Sequence, residues 1–299
     1  LPDADAEALA VHLLTVDDLP GWQVSPYFAE WDTGVPGVIP DIEQQSLTYR
    51  SFCSEADPAA TQAAKAMPYQ LLATLRALEA GVDPRLREAL HDAMEASVAN
   101  VPELAGSVAV CPDVSGSMSS PVTGYRKGAT TAVRCIDVAA LVAAAVVRKN
   151  PQARVLPFEV DVRDVRLEAR DSILTNAEKL AALGGGGTNC SAPLAALNKA
   201  RAAPDLVIFV SDNQSWVDGR KGGQGTAMMA EWVKLKARNG AAKLVCIDIR
   251  PYGTAQAAER EDVLNIGGFS DAVFDQIAAF AAGRMGPDHW VGEIRAAAL

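Results

Sequence analysis

The sequence predicts an α/β fold, a doubly wound, mostly parallel sheet preceded by a small α-helical segment. Three observations lead there. From about residue 101, short apolar runs alternate with longer helical stretches, the order that builds βαβ units. Several of those runs, "SVAVC" (107–111), "DLVIFVSD" (205–212) and "KLVCIDIR" (243–250), are nearly continuously apolar, as strands buried on both faces of a sheet are. Ahead of them, residues 46–100 carry Asp-Pro helix starts and apolar residues at helical spacing.

Taken in order, residues 1–45 receive no clear assignment. "DADAEALAVHLLTV" fits a short helix, and the Pro/Gly-punctuated stretch after it leaves Trp22, Phe28 and Trp31 in need of a surface to cover. "DPAATQAAKA" opens a helix at Asp57-Pro58, "MPYQLLATLRALEA" restarts at Pro68 and stops at Gly81, and Asp83-Pro84 opens a third. In that third helix Leu86, Leu90, Ala93, Met94 and Val98 fall on one face. Three such helices look like part of an α-helical repeat array. From 101 to 299 the expected order is strand 107–111, helix 130–149, strand 153–160, a short strand 165–169 and helix 173–183. Then come "GGGGTNCS" (184–191), helix 192–202, strand 205–212, helix 225–239, strand 243–250 and helix 270–282.

With 299 residues, 49% of them apolar, the chain can bury a sizeable core as one large domain or two modest ones. Its longest apolar helix, "VAALVAAAVV" (138–147), is far short of the ~20 residues that span a bilayer. Residue 1 is Leu, which predicts an initiating chain longer than this sequence. The five cysteines (53, 111, 135, 190, 246) are scattered and form no CxxC pair, so reduced, buried thiols and a cytoplasmic protein are expected. The net charge of −10 is uneven: residues 1–100 hold 5 Lys/Arg against 16 Asp/Glu, a balance of −11. Residues 101–299 hold 22 against 21, a balance of +1. Indiscriminate nucleic-acid binding is disfavoured, but a local basic face is not.

Chemistry is expected beyond the carboxyl ends of the parallel strands. Three loops there offer hard oxygen donors: Asp113, Ser115 and Ser117 in "CPDVSGSMSSP", Thr188 after four glycines, and Asp212 after "LVIFVS". Either the first loop holds a hard metal ion or it is an ordinary Ser/Gly turn. Taken with the other two loops, carboxylate and hydroxyl oxygens without Cys or His suit Mg²⁺ or Mn²⁺ rather than zinc. Such an ion keeps waters and can accept one carboxylate or phosphate oxygen from outside. Gly184 to Gly187 would let their loop approach the ion without Cβ clashes.

"DVSGSM", "GGGGTNCS" and "FVSDNQSW" resemble the three metal-site loops of von Willebrand factor A domains. That resemblance implies a metal-ion-dependent adhesion site with Asp113, Ser115, Ser117, Thr188 and Asp212 as ligands, some through water. "MPYQLL", "VPELAGSVAVCPDVSGSMSSPVTG" and "VLNIGGFSDAVFDQI" extend it: residues 57 to 292 resemble the bacterial Ro (TROVE) RNA-binding proteins. Those join a ring of helical repeats to a von Willebrand A domain and bind Y-type RNAs and the single-stranded ends of misfolded RNAs. The departure is at the front, where three helices stand in place of a long ring.

Two Gly-flanked basic pairs, Arg126-Lys127 and Arg220-Lys221, follow the first and third loops and are candidate phosphate contacts; the plain alternative is solvated loop charge. Tyr125 and Trp216 in the same loops could stack on bases, though packing against their own loops is the better expectation. Enzymes fare badly. His12, His91 and His289 are far apart and none falls in the three loops; His91 reads as a surface or packing residue. There is no GxSxG elbow, and "GGGGT" has no Lys before its Thr as a phosphate loop requires. Cys190 reads as a small buried residue. Asp137 is expected to bond a loop or accept from Arg134 or Lys127, unless it lies on a partly exposed helix face. Asp248 is expected to end its strand and cap the following turn.

The reading is a non-enzymatic, divalent-metal-dependent binding protein in three parts: an unassigned front (1–45), a helical segment (46–100) and a von Willebrand A-like domain (101–299). Its expected setting is a Ro-like ribonucleoprotein acting in RNA quality control, with a small Y-like RNA or an acidic protein side chain completing the metal shell. The alternatives are a protein–protein adhesion module and a structural subunit of a larger assembly, both without RNA.

Overall fold

A computed structural model describes residues 66–77, 84–124, 132–212, 227–251 and 257–285. The front, the helix expected from Asp57-Pro58, both basic pairs, Tyr125, Trp216, His289 and Cys53 lie outside those residues. The chain divides into two compact units, Leu1–Asn100 with Thr123–Val133, and Val101–Val122 with Arg134–Leu299.

In the first unit, α1 (Pro68–Ala77) and α2 (Pro84–Ser97) each open on proline. Proline suits the first helical position, where its missing N–H has no intrahelical partner and its fixed φ is already helical. α1 buries Tyr69, Leu71, Leu72 and Leu75, and α2 buries Leu90, Ala93, Met94 and Ser97, steps of three and four that make one face. The two helices pack together. A 3₁₀ turn (Val98–Asn100) closes α2, and the Asn100 side-chain amide donates to the Ala66 carbonyl at 2.8 Å.

The second unit is built on a five-stranded parallel sheet. Its strands are β1 (Val108–Pro112), β2 (Arg154–Val155), β3 (Leu206–Ser211), β4 (Lys243–Asp248) and β5 (Val263–Gly267), in the order β2-β1-β3-β4-β5. The helices are α3 (Cys135–Lys149), α4 (Ile173–Ala181), α5 (Ala192–Lys199), α6 (Ala227–Lys236) and α7 (Ala272–Ala281). Strand side chains alternate between faces. Ala109, Cys111, Val207, Phe209, Leu244 and Cys246 join Leu194 and Leu197 of α5 and Met228, Trp232 and Leu235 of α6 in one apolar layer. α3 packs on β1 and β3 and is covered by α4. Every residue of α3 from Cys135 to Val147 is buried, which explains a helix that is apolar all round. Lys243 ties β4 to the end of α7, its ammonium donating to the Phe280 and Ala281 carbonyls at 2.6 and 3.2 Å, where the helix dipole favours a cation.

Three expectations need correction. The strand expected over 153–160 shrinks to Arg154–Val155: Leu156 and Phe158 N–H still donate to the Val110 and Pro112 carbonyls at 2.9 and 3.1 Å, but Pro112 has no N–H to donate back, and only isolated bridges at Phe158 follow. The strand expected at 165–169 does not form. "VRLEA" alternates in exposure, but its main chain is satisfied by a side chain: Asn176, 1% exposed, donates to the Glu168 carbonyl at 2.7 Å and accepts its N–H at 3.3 Å. β5 was not expected from its own residues, since "VLNIG" is half-exposed and carries an Asn at its centre.

α5 ends in a Schellman motif. The N–H of Ala202 donates to the Leu197 carbonyl at 2.9 Å and that of Arg201 to Asn198 at 3.0 Å. Arg201 sits at φ 52°, a position that glycine fills without strain. Arg201→Gly is therefore expected to raise stability by about 0.5–1 kcal/mol, after the added freedom of the unfolded chain is deducted. Urea denaturation with an unchanged slope and a higher midpoint is the check.

Candidate metal centre

The chain leaves β1, crosses through α3 to β2 on one side, then returns past β1 to place β3 on the other. The loops leaving β1 and β3 therefore diverge, and a crevice opens at their carboxyl ends. Asp113 and Asp212 are the first residues beyond those two strands, and both are fully buried. The Asp113 carboxylate is held on both oxygens. Oδ1 accepts the Ser115 N–H at 2.8 Å, and Oδ2 accepts the Ser211 hydroxyl at 2.7 Å across the β1–β3 pair. Ser115 and Ser117 hydroxyl oxygens lie 3.3 Å apart, and Ser117 Oγ donates to Asp212 Oδ1 at 3.1 Å. Four of the five expected ligands thus form one connected set of oxygens.

The fifth, Thr188, is 1% exposed on the glycine loop, which is stitched to the β1 loop rather than bonded to its side chains. Gly116 N–H donates to the Gly186 carbonyl at 3.0 Å and Gly185 N–H to the Val114 carbonyl at 2.9 Å. A Cβ at Gly116 would lie 3.3 Å from that Gly186 oxygen, so the small residue between the two serines is set by the approach of the loops. Gly186 has φ +71°, and a Cβ there would collide with the Glu159 side chain. The glycine run thus also fits neighbouring protein, at Gly186 through the Glu159 side chain.

Burial dominates the electrostatics. It pushes the Asp113 carboxyl up to about 6, against the lowering pull of its hydrogen bonds from Ser115 and Ser211, with a further rise from the Asp212 charge. Asp248, at the end of β4 and 5% exposed, is pushed up to about 7 by burial and then by Asp212. Neither Asp113 nor Asp248 has an ion pair among the described residues. Buried carboxylates without a cationic partner, beside a run of hydroxyls, fit a hard divalent ion. No three His, Cys, Asp or Glu side chains among the described residues are grouped as a metal site, so the hydroxyls are essential to that donor set.

Sequence reasoning missed Ser211 and Asp248. Ser211 sits directly before Asp212 in "FVSD", and a Ser at a strand end beside an Asp was the available signal. Asp248 ends β4 as expected, and its Oδ1 is buried without a hydrogen-bond partner among the described residues; the turn that it was expected to cap runs on into residues outside them. Asp137 accepts from Arg134, backbone N–H at 2.9 Å and guanidinium at 2.8 and 3.0 Å, and is 3% exposed, so the exposed-face alternative is overturned. Cys111, Cys135, Cys190 and Cys246 are buried and form no disulfide, and burial raises the thiols of Cys111, Cys135 and Cys246. His91 is exposed on α2.

Comparison with known proteins agrees with the fold. A family model described as the Ro60 vWA domain matches residues 107–281. A curated relative from Deinococcus radiodurans, named RNA-binding protein RO60, is 26% identical over 205 residues, covering 68% of this chain and 36% of the relative. The chain thus spans about a third of the length of that relative. The crystal structure of the Deinococcus radiodurans RO (RSR) protein superposes with a TM-score of 0.64 at 22% identity, over 79% of this chain and 48% of that one. At that identity the likeness speaks to the fold.

Proposed function

The chain belongs to the Ro60 family of von Willebrand factor A domains, and from that premise we propose that it is a non-enzymatic, divalent-ion-dependent RNA-binding component of a small-RNA ribonucleoprotein acting in RNA quality control. The observation that carries the metal half is the oxygen set Asp113–Ser115–Ser117–Asp212, closed by a hydrogen bond between residues 95 apart in the sequence. Ser115, Ser117 and Thr188 would hold Mg²⁺ or Mn²⁺ through hydroxyls, and Asp113 and Asp212 through carboxylates. When bound, the ion supplies a positive centre for an oxygen of the partner's phosphate or carboxylate. The RNA half is supported by the name of the Deinococcus relative and by the basic pairs Arg126-Lys127 and Arg220-Lys221, which follow the first and third loops in the sequence and would neutralise phosphates. Among the described residues no helix is long and apolar enough to cross a membrane.

A second reading, an acidic protein partner, is favoured by the −11 balance of residues 1–100, a sign that repels RNA. Purification from the native host without nuclease separates the two. A discrete small RNA on a denaturing gel, diminished by chelator, is the expected result. Protein free of RNA that captures a carboxylate-bearing partner only with Mg²⁺ would move the assignment to the second reading.

A further inference from the structure

We propose that Glu159, braced by Arg163, is a positioning residue for the glycine loop that carries Thr188. The inference rests on the metal reading above. Four of the expected ligands are placed by the ends of β1 and β3. Thr188 is placed by a loop that belongs to no strand, so something else must fix it.

Glu159 follows Phe158, which is fully buried and forms a lone parallel bridge with Asp113. Phe158 N–H donates to the Pro112 carbonyl at 3.1 Å and its carbonyl accepts Val114 N–H at 2.9 Å, so Glu159 leaves the sheet beside the β1 loop. From there it grips the glycine loop at two places. On the Thr188 side, its carbonyl accepts Asn189 N–H at 2.7 Å, and the Val160 carbonyl accepts the Asn189 side-chain amide at 3.0 Å. On the other side, its carboxylate occupies the space that a Cβ on Gly186 would need. The Gly186 carbonyl is in turn the acceptor for Gly116, between the two metal-loop serines.

Arg163 keeps the carboxylate there, its guanidinium 3.0 Å from Glu159 Oε1 and its own N–H donating to the Pro157 carbonyl at 2.7 Å. The Arg163 side chain is 51% exposed, so the pair contributes little through charge. Its contribution is geometric: packing and hydrogen bonds around a ligand fix where that ligand's oxygen lies.

The test is Mn²⁺ titration of the whole chain. Glu159→Ala is expected to weaken Mn²⁺ binding by about tenfold, while Glu159→Gln, which keeps the volume over Gly186, retains most of it. In a Thr188→Ala background, Glu159→Ala is expected to add nothing, because it acts through Thr188. Equal losses in both backgrounds, or unchanged affinity in Glu159→Ala, overturn the proposal. Should the unmodified chain take up no Mn²⁺, the metal reading fails, and amide exchange decides the positioning role. Faster exchange at Gly116 and Gly185 in Glu159→Ala, with β3 and β4 unchanged, sustains it; unchanged exchange overturns it.

Discussion

Replacing Asp113 by Ala is expected to lower Mn²⁺ affinity by about a hundredfold or more while leaving the fold intact. A ligand should cost at least what the groups behind a ligand cost, which is about 10–100-fold. Asp113 is fully buried and fixed by Ser115 and Ser211, so its oxygens are preorganised. Loss of the carboxylate leaves the Ser115 N–H and the Ser211 hydroxyl short of an acceptor, at a cost of about 1–3 kcal/mol. Relief of a buried charge offsets part of that. A circular dichroism melt reads the fold, and calorimetric titration reads the ion. Wild-type affinity in a folded Asp113→Ala protein would sink the site assignment.

The second expectation concerns pH, and its direction depends on the ion. Asp113 and Asp248 have carboxyls raised to about 6 and about 7 in the folded chain, against 3.8 when free. Between about pH 4 and 7 the folded state therefore holds more protons than the unfolded state. Stability from these two groups is fully present at the acid end, falls as pH rises, and levels off above about 7. For Asp113 alone the loss is on the order of 3 kcal/mol. Between pH 5 and 8 the two groups together lose on the order of 4 kcal/mol, so in chelator the melting midpoint at pH 8 should fall below that at pH 5 by roughly 8–16 °C, other titrations aside. Saturating Mn²⁺ binds only the deprotonated site, so it should oppose that fall and stabilise most at high pH. The decisive readout is the difference between the two pH profiles. Parallel profiles would refute ion binding at these carboxylates.

What could be read from the sequence depended on whether a residue's neighbours were local. β1, β3 and β4 announced themselves because burial on both faces demands unbroken apolar runs. Pro68 and Pro84 marked helix starts because proline's constraint is its own. β5 did not show, because an edge strand half-open to water needs no such run. The alternating "VRLEA" looked like a strand, yet its partner is the Asn176 side chain, which no pairing pattern signals. The site divided in the same way. Asp113, Ser115, Ser117 and Asp212 stood out through their residue types beyond strand ends, and Thr188 through the glycine run before it. Ser211 and Glu159 did not, since one matters through a hydroxyl reaching across 98 residues of sequence and the other through the space it fills above a glycine.

That separation has a kinetic meaning. The Ser117–Asp212 contact joins residues 95 apart and the Ser211–Asp113 contact residues 98 apart. Parallel pairing across such spans is slow, because the chain must lose loop entropy before any contact repays it. At roughly 5–20 residues per second, a ribosome that has just made the first of these residues needs about 5–20 s to make its counterpart. Throughout that interval the β1 run is an apolar strand without its β3 neighbour, and Asp113 lacks the hydroxyl that will hold it. During synthesis, therefore, the centre is assembled by the arrival of β3.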